Sequence, residues 1–332
     1  MLKKIFKMFL IAIAVLPVVG IIFFGYANLP SEKRNMDARF GVTFSSRYAQ
    51  DIGLDWKEAY LAALDDLGVK RLRVPAYWDL IEKEEGKYDF ADLDWQIAEA
   101  SVRDAGVILA VGQKVPRWPE CHIPEWAQSD KNKKDEALLK FIGKTVERYR
   151  ENPTIKFWQV ENEPFLPFGI CPPLDVDLLD KELELVRRLD GRKIIVTDSG
   201  ELSLWFRAAK RADVFGTTMY LTIWKDSLGG KFTYPIGPRF FHFKQKINEI
   251  FAKQKNTIII ELQAEPWIGG WTTHAPLDKQ LENFDAERLE YNIDFARKTG
   301  FSEIYLWGVE WWYWLKKHQD HPQLWEAARK YF

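Results

Sequence analysis

The sequence has few of the residues that bind transition metals. Its 332 residues include only two cysteines and five histidines. Neither residue type recurs at the short spacing that zinc sites use. The histidines, to which we assign no role, are His122, His242, His274, His318 and His321. We therefore expect neither a metal centre nor any other cofactor.

The sequence also lacks an excess of charge of either sign. Lys and Arg together number 47 and Asp and Glu number 48, so the formal net charge is −1. A protein that binds nucleic acid needs a basic face, and this balance argues against one. The partner is therefore expected to be neutral or small.

Tryptophan, in contrast, is abundant, with 15 residues. Sugars present apolar C–H faces that stack on indole rings, while their hydroxyls need polar partners. Most of these tryptophans are expected in the core. The remainder favour an oligosaccharide or polysaccharide as the neutral partner.

The N-terminal part of the chain is basic and then apolar. Lys3, Lys4 and Lys7 precede an apolar run over residues 8–26, and a helix of that length is about as long as a bilayer is thick. The lysines favour a cytoplasmic tail over residues 1–7, an anchor over residues 8–26 and a linker over residues 27–37. The remaining residues, 38–332, would then form a catalytic domain outside the membrane.

A cleaved secretory signal is the alternative interpretation of this segment. Gly25-Tyr26-Ala27 has the small-x-small pattern of a cleavage site, and cleavage there would release a secreted protein. The two cysteines, Cys121 and Cys171, fit an extracytoplasmic location in both cases, because a disulfide persists outside the cell. Two unpaired thiols remain the alternative for them.

The rest of the chain alternates between strand-like and helix-like segments. Strands are predicted at residues 40–44, 70–74, 107–111, 155–161, 193–197, 213–219, 258–262 and 303–308. Amphipathic helices are predicted at residues 56–67, 91–105, 134–150, 177–190, 201–211, 241–254, 278–299 and 322–331. Eight strands, each followed by a helix, are typical of a single (β/α)8 TIM barrel. A doubly wound sheet would need a Gly-rich turn after its first strand, and Phe44-Ser45-Ser46-Arg47 is no such turn.

Glutamates close two of the predicted strands. The fourth ends in Glu161-Asn162-Glu163-Pro164, and the seventh contains Glu261, Gln263 and Glu265. Functional side chains of a TIM barrel lie at the carboxyl ends of its strands. Two carboxylates there suit the paired-carboxylate mechanism of glycoside cleavage.

This pattern resembles that of the retaining (β/α)8-barrel glycoside hydrolases of clan A, which include cellulase-like and β-galactosidase-like families. In that clan an Asn-Glu-Pro closes the fourth strand, as Asn162-Glu163-Pro164 does here, and its Glu is the acid/base. A second Glu closes the seventh strand and acts as nucleophile, and Glu261 is its best match. Further matches are Arg73, Tyr77-Trp78, Glu82, the segment 85–90, Tyr220 and Trp307. The resemblance covers nearly all of residues 38–332.

The resemblance implies a retaining O-glycosyl hydrolase that cleaves a neutral, β-linked glycan. Glu261 would attack the sugar while Arg73 and Tyr220 keep it ionised, and Glu163 would hold a proton for the leaving group. Asn162 would bind the sugar 2-hydroxyl. Because successive strand residues face opposite sides, Asn162 and Glu163 can both serve only if the strand has ended or bulges there.

Glu265 is the rival of Glu261 as nucleophile. The two are four residues apart, about 13 Å along an extended strand, so only one of them can face Glu163 closely. Gln263 and Glu265 would otherwise line the sugar subsites. Glu161 is interpreted as an interior polar group bonded to a neighbouring strand, with Arg71 or Arg73 as its partner.

The loop tryptophans allow two interpretations. They either support sugars or pack the loops, and they are Trp118, Trp126, Trp267 and Trp271. The run Trp311-Trp312-Tyr313-Trp314 is expected to pack the core or rim, with one member under the pocket. A membrane-tethered barrel that binds carbohydrate without turnover is the alternative function.

Overall fold

The computed structural model describes residue 18 and residues 20–31 and 34–332. Ten strands are described. They are β1 (Arg39–Thr43), β2 (Arg71–Pro75), β3 (Gly106–Val111), β4 (Ile155–Val160), β5 (Ile194–Asp198), β6 (Val214–Met219), β7 (Thr222–Lys225), β8 (Gly230–Thr233), β9 (Thr257–Gln263) and β10 (Glu303–Trp307). Eight of them close a barrel in the order β1-β10-β9-β6-β5-β4-β3-β2, and all neighbours in it are parallel. The predicted (β/α)8 barrel is therefore confirmed.

Helices surround the barrel. They are α1 (20–28), α2 (Ser46–Asp51), α3 (Trp56–Asp65), α4 (Trp78–Ile81), α5 (Ala91–Ser101), α6 (Lys131–Tyr149), α7 (Val176–Leu189), α8 (Phe206–Ala209), α9 (Pro238–Phe251), α10 (Leu277–Asn283), α11 (Ala286–Arg297), α12 (Val309–His318) and α13 (Gln323–Arg329). Aspartate side chains cap the first turns of α3, α6, α7 and α11 by accepting backbone N–H bonds. These caps mark where the amphipathic segments begin.

The apolar side chains form two layers. The larger layer fills the space between the strands and the helices. The smaller one plugs the barrel interior and consists of Ile108, Ile195, Val214, Ile258, Ile260 and Tyr305. Because this plug fills the interior, the polar side chains at the carboxyl ends of the strands lie above a closed floor.

Two predicted helices differ from the structure, and a helix after the last barrel strand was not predicted. The segment 201–211 contains only the four-residue α8. The segment 278–299 is interrupted after Asn283, because Asp285 caps a new helix, α11, by accepting from the backbone of Arg288. Residues 309–318, which follow the last barrel strand, form α12, and its four aromatic residues from Trp311 to Trp314 are buried. An antiparallel hairpin of β7 and β8, which the strand pattern did not predict, follows β6.

The N-terminal predictions fall largely outside the described residues. The predicted tail, residues 1–7, lies wholly outside them, as do residues 8–17 and 19 of the predicted span. Within the part of the chain that the structure describes, no helix is both long and apolar enough to span a bilayer. The end of α1 packs on α9, where the ring of Phe23 lies 5.0 Å from that of Phe243.

Candidate active site

Glu261 is held by two donors at the carboxyl end of β9. Arg73, in the middle of β2, places Nη1 2.6 Å from Glu261 Oε1. The Tyr220 hydroxyl donates to Glu261 Oε2 over 2.8 Å. Both Arg73 and Glu261 are buried. Each oxygen of the Glu261 carboxyl group therefore accepts a hydrogen bond from a fixed donor.

A shift in strand pairing aims Glu261 into the barrel. On β6, Thr217 pairs with Ile259 and the next residue, Thr218, pairs with Glu261, so Ile260 is an extra residue. Ile260 belongs to the interior plug, whereas Ile259 and Leu262 pack toward the helices. Without the extra residue, strict alternation would turn Glu261 away from the interior that Ile260 faces.

The end of β4 brings Asn162 and Glu163 to the same side. The strand ends at Val160, and Glu161 and Glu163 follow with φ of 58° and 43°. Left-handed backbone at non-glycine residues is uncommon and concentrates at functional sites. It breaks the alternation that would have placed Asn162 and Glu163 on opposite faces.

The guanidinium of Arg73 bonds both Asn162 and Glu261 and holds the two side chains near each other. Arg73 Nη2 donates to Asn162 Oδ1 over 2.7 Å, while Nη1 of the same group bonds Glu261. The Thr197 hydroxyl donates to the same Asn162 oxygen over 3.3 Å. These donors occupy Asn162 Oδ1, so the amide Nδ2 is the atom left to face the site.

Glu163 is a buried carboxyl group with one neutral donor. The Thr218 hydroxyl donates to Glu163 Oε1 over 3.0 Å. Burial raises the pKa of Glu163 well above its usual range, and the negative charges of Glu261 and Glu120 raise it further. The proton is therefore retained on Glu163 at pH values where an exposed glutamate is ionised.

Glu265 is engaged in a separate ion-pair cluster. Its carboxylate is paired with Arg117, whose Nη2 also lies 2.8 Å from Glu310 Oε2. The Arg117 guanidinium lies 4.2 Å from the ring of Trp307. Burial raises the pKa of Glu265, while the charge and hydrogen bond of Arg117 oppose that rise. Only Glu261, of the two strand-end glutamates, has the Arg73 and Tyr220 contacts expected of the nucleophile.

Gln263 lies between Glu261 and Glu265 in the sequence, and its side chain bonds to another part of the protein. Its amide donates to the Thr222 carbonyl over 2.7 Å and accepts from the Thr222 amide over 3.1 Å. This pair ties the β7–β8 hairpin to β9. Both hydrogen-bonding ends of the side chain are therefore occupied by Thr222.

The aromatic residues near the site form two groups: a row that begins at the exposed rim, and residues that pack against other parts of the protein. Trp118 is 51% exposed and its ring lies 6.3 Å from that of Phe168. The Phe168 ring also lies 5.9 Å from that of Trp267, and the Trp267 ring meets that of Tyr220 edge-on at 5.1 Å. This row extends from the exposed rim to Tyr220 and Trp307, whose rings are 6.5 Å apart.

The other two loop tryptophans have partners within the protein. Trp126 donates to the Glu82 carbonyl over 2.9 Å and meets Trp78 edge-on, so it packs a loop. Trp271, which is partly exposed, stacks on Tyr48.

Glu161 does not bond Arg71 or Arg73, so that expectation was wrong. Its two oxygens accept the backbone N–H groups of Gln113 and Lys114 over 2.8 and 2.7 Å. The left-handed backbone at Glu161 turns the side chain toward the loop after β3 instead of along the sheet. The Glu161 carboxyl group also interacts electrostatically with that of Glu182 on α7. Burial raises the pKa of Glu161 to about 7 and that of Glu182 well above its usual range.

The loop after β3 contributes three charged residues that the sequence analysis did not identify: Lys114, Arg117 and Glu120. Lys114 Nζ donates to the carbonyls of Glu163 and Leu166. Burial, and next the charge of Glu261, raise the pKa of Glu120 to about 7. No periodic pattern marks these residues. Their position after a barrel strand was the available signal, because such loops form the functional face.

A disulfide between Cys121 and Cys171 joins this loop to the loop after β4. The first of these loops carries Arg117 and Glu120, and the second carries Asn162 and Glu163. The disulfide therefore restrains both sides of the site. Within the described residues, no group of three or more His, Cys, Asp and Glu side chains is arranged to hold a metal ion.

No protein-family model matches the sequence, and no curated protein matches it. Solved structures do match. Xylanase 10B from Thermotoga petrophila RKU-1, solved with xylobiose, is 14% identical, with 89% of this chain and 94% of that chain covered and a TM-score of 0.56. GH5_18 from Streptomyces cattleya, solved with GlcNAc, is 14% identical, with 83% and 71% covered and a TM-score of 0.53.

A β-galactosidase from the psychrophilic Marinomonas ef1 is a third match. It is 14% identical, with 81% of this chain and 53% of that chain covered and a TM-score of 0.52. The sequence resemblance to barrel glycoside hydrolases is thus confirmed for the fold. At this level of identity, the likeness establishes the fold alone, and the chemistry must be argued from the site.

Proposed function

We propose that this chain is a retaining glycoside hydrolase that cleaves a neutral, β-linked glycan, with Glu261 as nucleophile and Glu163 as acid/base. The observation that carries the proposal is the pair of unlike carboxyl groups above the barrel floor. Glu261 is bonded to Arg73 and Tyr220, whereas the pKa of Glu163 is raised. A carboxyl group bonded to an arginine suits the nucleophile, and one that retains its proton suits the acid.

In the first step, Glu163 donates its proton to the glycosidic oxygen and Glu261 attacks the anomeric carbon. The bond to the leaving sugar breaks, and an ester forms between Glu261 and the remaining sugar. Formation of the ester removes the Glu261 charge, which is one cause of the raised pKa of Glu163. Glu163 is then ionised and accepts a proton from water, which attacks the anomeric carbon and releases Glu261 with net retention.

The substrate class rests on the site's charges and rim. The ion pairs of Arg73 and Arg117 are satisfied within the protein, so neither arginine is free to bind an anionic sugar. The aromatic row from Trp118 to Trp267 suits stacking against the apolar faces of a neutral glycan. The named activities of two similar structures, a xylanase and a β-galactosidase, agree with a β-linked glycan.

The decisive experiment removes each carboxylate separately. Glu261→Gln should lower kcat on 4-nitrophenyl β-glycosides of glucose, galactose, mannose and xylose by at least about 10⁴-fold, because no covalent step remains. Glu163→Ala with azide should yield a β-glycosyl azide, since azide needs no base to attack the intermediate. Glu125→Gln, at an exposed position, is the matched control. Full activity in both active-site variants would refute the proposal.

We also propose that residues 8–26 tether the protein to a membrane, with the barrel on the extracytoplasmic side. Support comes from Lys3, Lys4 and Lys7 ahead of the apolar run. The full chain should remain with membranes after alkaline carbonate extraction, and its intact mass should include residues 1–27. A protein in the soluble fraction that begins near Asn28 would instead establish cleavage and secretion.

A further inference from the structure

Glu120 is a third carboxyl group beside Glu163 and Glu261, and two loops fix its position. Its amide donates to the Arg117 carbonyl over 2.8 Å, and its carbonyl accepts from the Val115 amide over 2.9 Å. Gly169, from the loop after β4, lies against it so closely that a Cβ there would be 2.5 Å from Glu120 Cβ. The neighbouring residue is Cys121 of the disulfide. The side chain is buried and held in the site.

The Glu120 carboxylate lacks the charged partner that Glu261 and Glu265 have. Within the described residues, it is in no ion pair, and its hydrogen bond comes from Asn162 Nδ2, over 3.3 Å to Oε2. A bond of that length is near the limit for an N–H donor. A buried carboxylate with one long hydrogen bond retains acceptor capacity for a ligand.

Asn162 and Glu120 together present one donor and one acceptor. The oxygen of Asn162 is occupied by Arg73 and Thr197, so only its N–H group faces outward. A sugar hydroxyl can accept from that N–H and donate to Glu120 at the same time. A protonated amine can donate to Glu120 but cannot accept from Asn162.

The carbon that bears this hydroxyl follows from the position of Arg73. One guanidinium bonds both Glu261, through Nη1, and Asn162, through Nη2. The Asn162 amide is separated from Glu261 by the width of one guanidinium group. If Glu261 attacks the anomeric carbon, as the proposed function requires, Asn162 therefore lies close to that carbon. We therefore assign the hydroxyl to the neighbouring ring carbon, C2.

We propose that Glu120 is a substrate-binding residue that accepts a hydrogen bond from the free C2 hydroxyl of the sugar attacked by Glu261. The inference rests on the proposed function and narrows it to glycosides with an unsubstituted 2-hydroxyl. The bond strengthens as positive charge develops at the neighbouring carbon, so Glu120 contributes to kcat as well as to binding.

The test compares Glu120→Gln with wild type on matched substrates. They are the 4-nitrophenyl β-glycoside that wild type cleaves best and its 2-deoxy analogue, with spontaneous hydrolysis subtracted. We expect Glu120→Gln to lower kcat/KM by about 10- to 100-fold on the 2-hydroxy substrate, the range for one charge-assisted hydrogen bond. We expect little change on the 2-deoxy substrate when both are measured below the alkaline limb of the pH profile. Glu125→Gln should leave both values unchanged.

The same comparison separates this role from a structural one. A residue that only supports the loop would lower kcat/KM on both substrates equally, and that result would overturn the proposal. Calorimetric titration with the methyl β-glycoside and its 2-deoxy analogue provides an arm that needs no turnover. Equal affinity, or no affinity, for the two ligands in wild type would also overturn it. Absence of hydrolysis with a preserved difference in binding would instead refute only the proposed catalysis.

Discussion

Thr218 donates a hydrogen bond from its hydroxyl to Glu163, 3.0 Å away, and its own backbone is the pairing partner of Glu261 on the neighbouring strand. One residue of β6 therefore lies in direct contact with both proposed catalytic glutamates. The Thr218 hydroxyl is a neutral donor, so it orients Glu163 without forcing the ionised form that an arginine would favour. This relationship connects the ends of β4 and β9 through the strand β6.

The first prediction concerns the identity of the nucleophile. A 2-deoxy-2-fluoro β-glycoside with a good leaving group should inactivate the protein, because the intermediate forms faster than it is hydrolysed. Mass spectrometry of the digested protein should locate the sugar on Glu261, since Glu265 is paired with Arg117. Label on Glu265 would instead identify Glu265 as the nucleophile. As a control, Glu265→Gln should still be labelled on Glu261.

The second prediction concerns Tyr220. Replacement by Phe removes the hydrogen bond to Glu261 Oε2 and keeps the ring that meets Trp267. We expect kcat to fall by about 10- to 100-fold, the range for one hydrogen bond to a charged group. Tyr291→Phe, at an exposed position, is the control. Steady-state kinetics that showed equal values for both variants would contradict the assigned role.

The third prediction concerns the pH dependence of kcat/KM. If Glu163 is the acid, as we propose, kcat/KM should fall as pH rises through the raised pKa of Glu163. Glu120 is one cause of that rise. Glu120→Gln removes a negative charge and should move the alkaline limb of the profile to lower pH. A limb that stays in place would exclude Glu120 as an electrostatic neighbour of the acid/base.

The fourth prediction concerns stability and the Glu161–Glu182 pair. Both pKa values are raised, that of Glu161 to about 7, so the folded chain retains protons that the unfolded chain loses from about pH 4.5 upward. The free energy of unfolding therefore falls as pH rises through this window. Glu182→Gln removes one of the two charges, and it should be more stable than wild type by about 1–2 kcal/mol at pH 8 and similar at pH 5.

Urea unfolding at both pH values measures this difference. Glu184→Gln provides the control, because Glu184 lies on the same helix, α7, and its carboxylate is exposed. That substitution should leave the pH dependence of wild type intact. If Glu182→Gln also retained the wild-type dependence, the buried pair would not be its source.

The fifth prediction concerns the disulfide. Cys121 and Cys171 are 50 residues apart, and closing a loop of that length stabilises a protein by up to about 4 kcal/mol in the chain-entropy model. The double variant with Ala at both positions should melt about 5–10 °C lower. It should also lose activity, because Cys121 adjoins Glu120. Wild type with dithiothreitol should match the variant, and an unchanged midpoint in both would contradict the prediction.

Much of the barrel was predictable from local pattern. All eight barrel strands lie within about two residues of their predicted positions, because buried parallel strands are short apolar runs between amphipathic helices. The helices that differ do so for local reasons, such as the new cap at Asp285. The β7–β8 hairpin has half-buried residues and short strands, so its apolar pattern was too weak to identify.

The sequence by itself determined the barrel and the placement of Glu163 and Glu261 at strand ends, because periodicity and composition are local properties of a chain. Only the tertiary structure decided the direction in which those two glutamate side chains point. The extra residue Ile260 turns Glu261 inward, and left-handed backbone at Glu161 and Glu163 reverses the alternation after β4. The tertiary structure also decided the charged partners of the glutamates, since Arg73 and Glu261 are 188 positions apart in the sequence. Contacts of that range form only when the barrel closes, so no pattern within one segment records them.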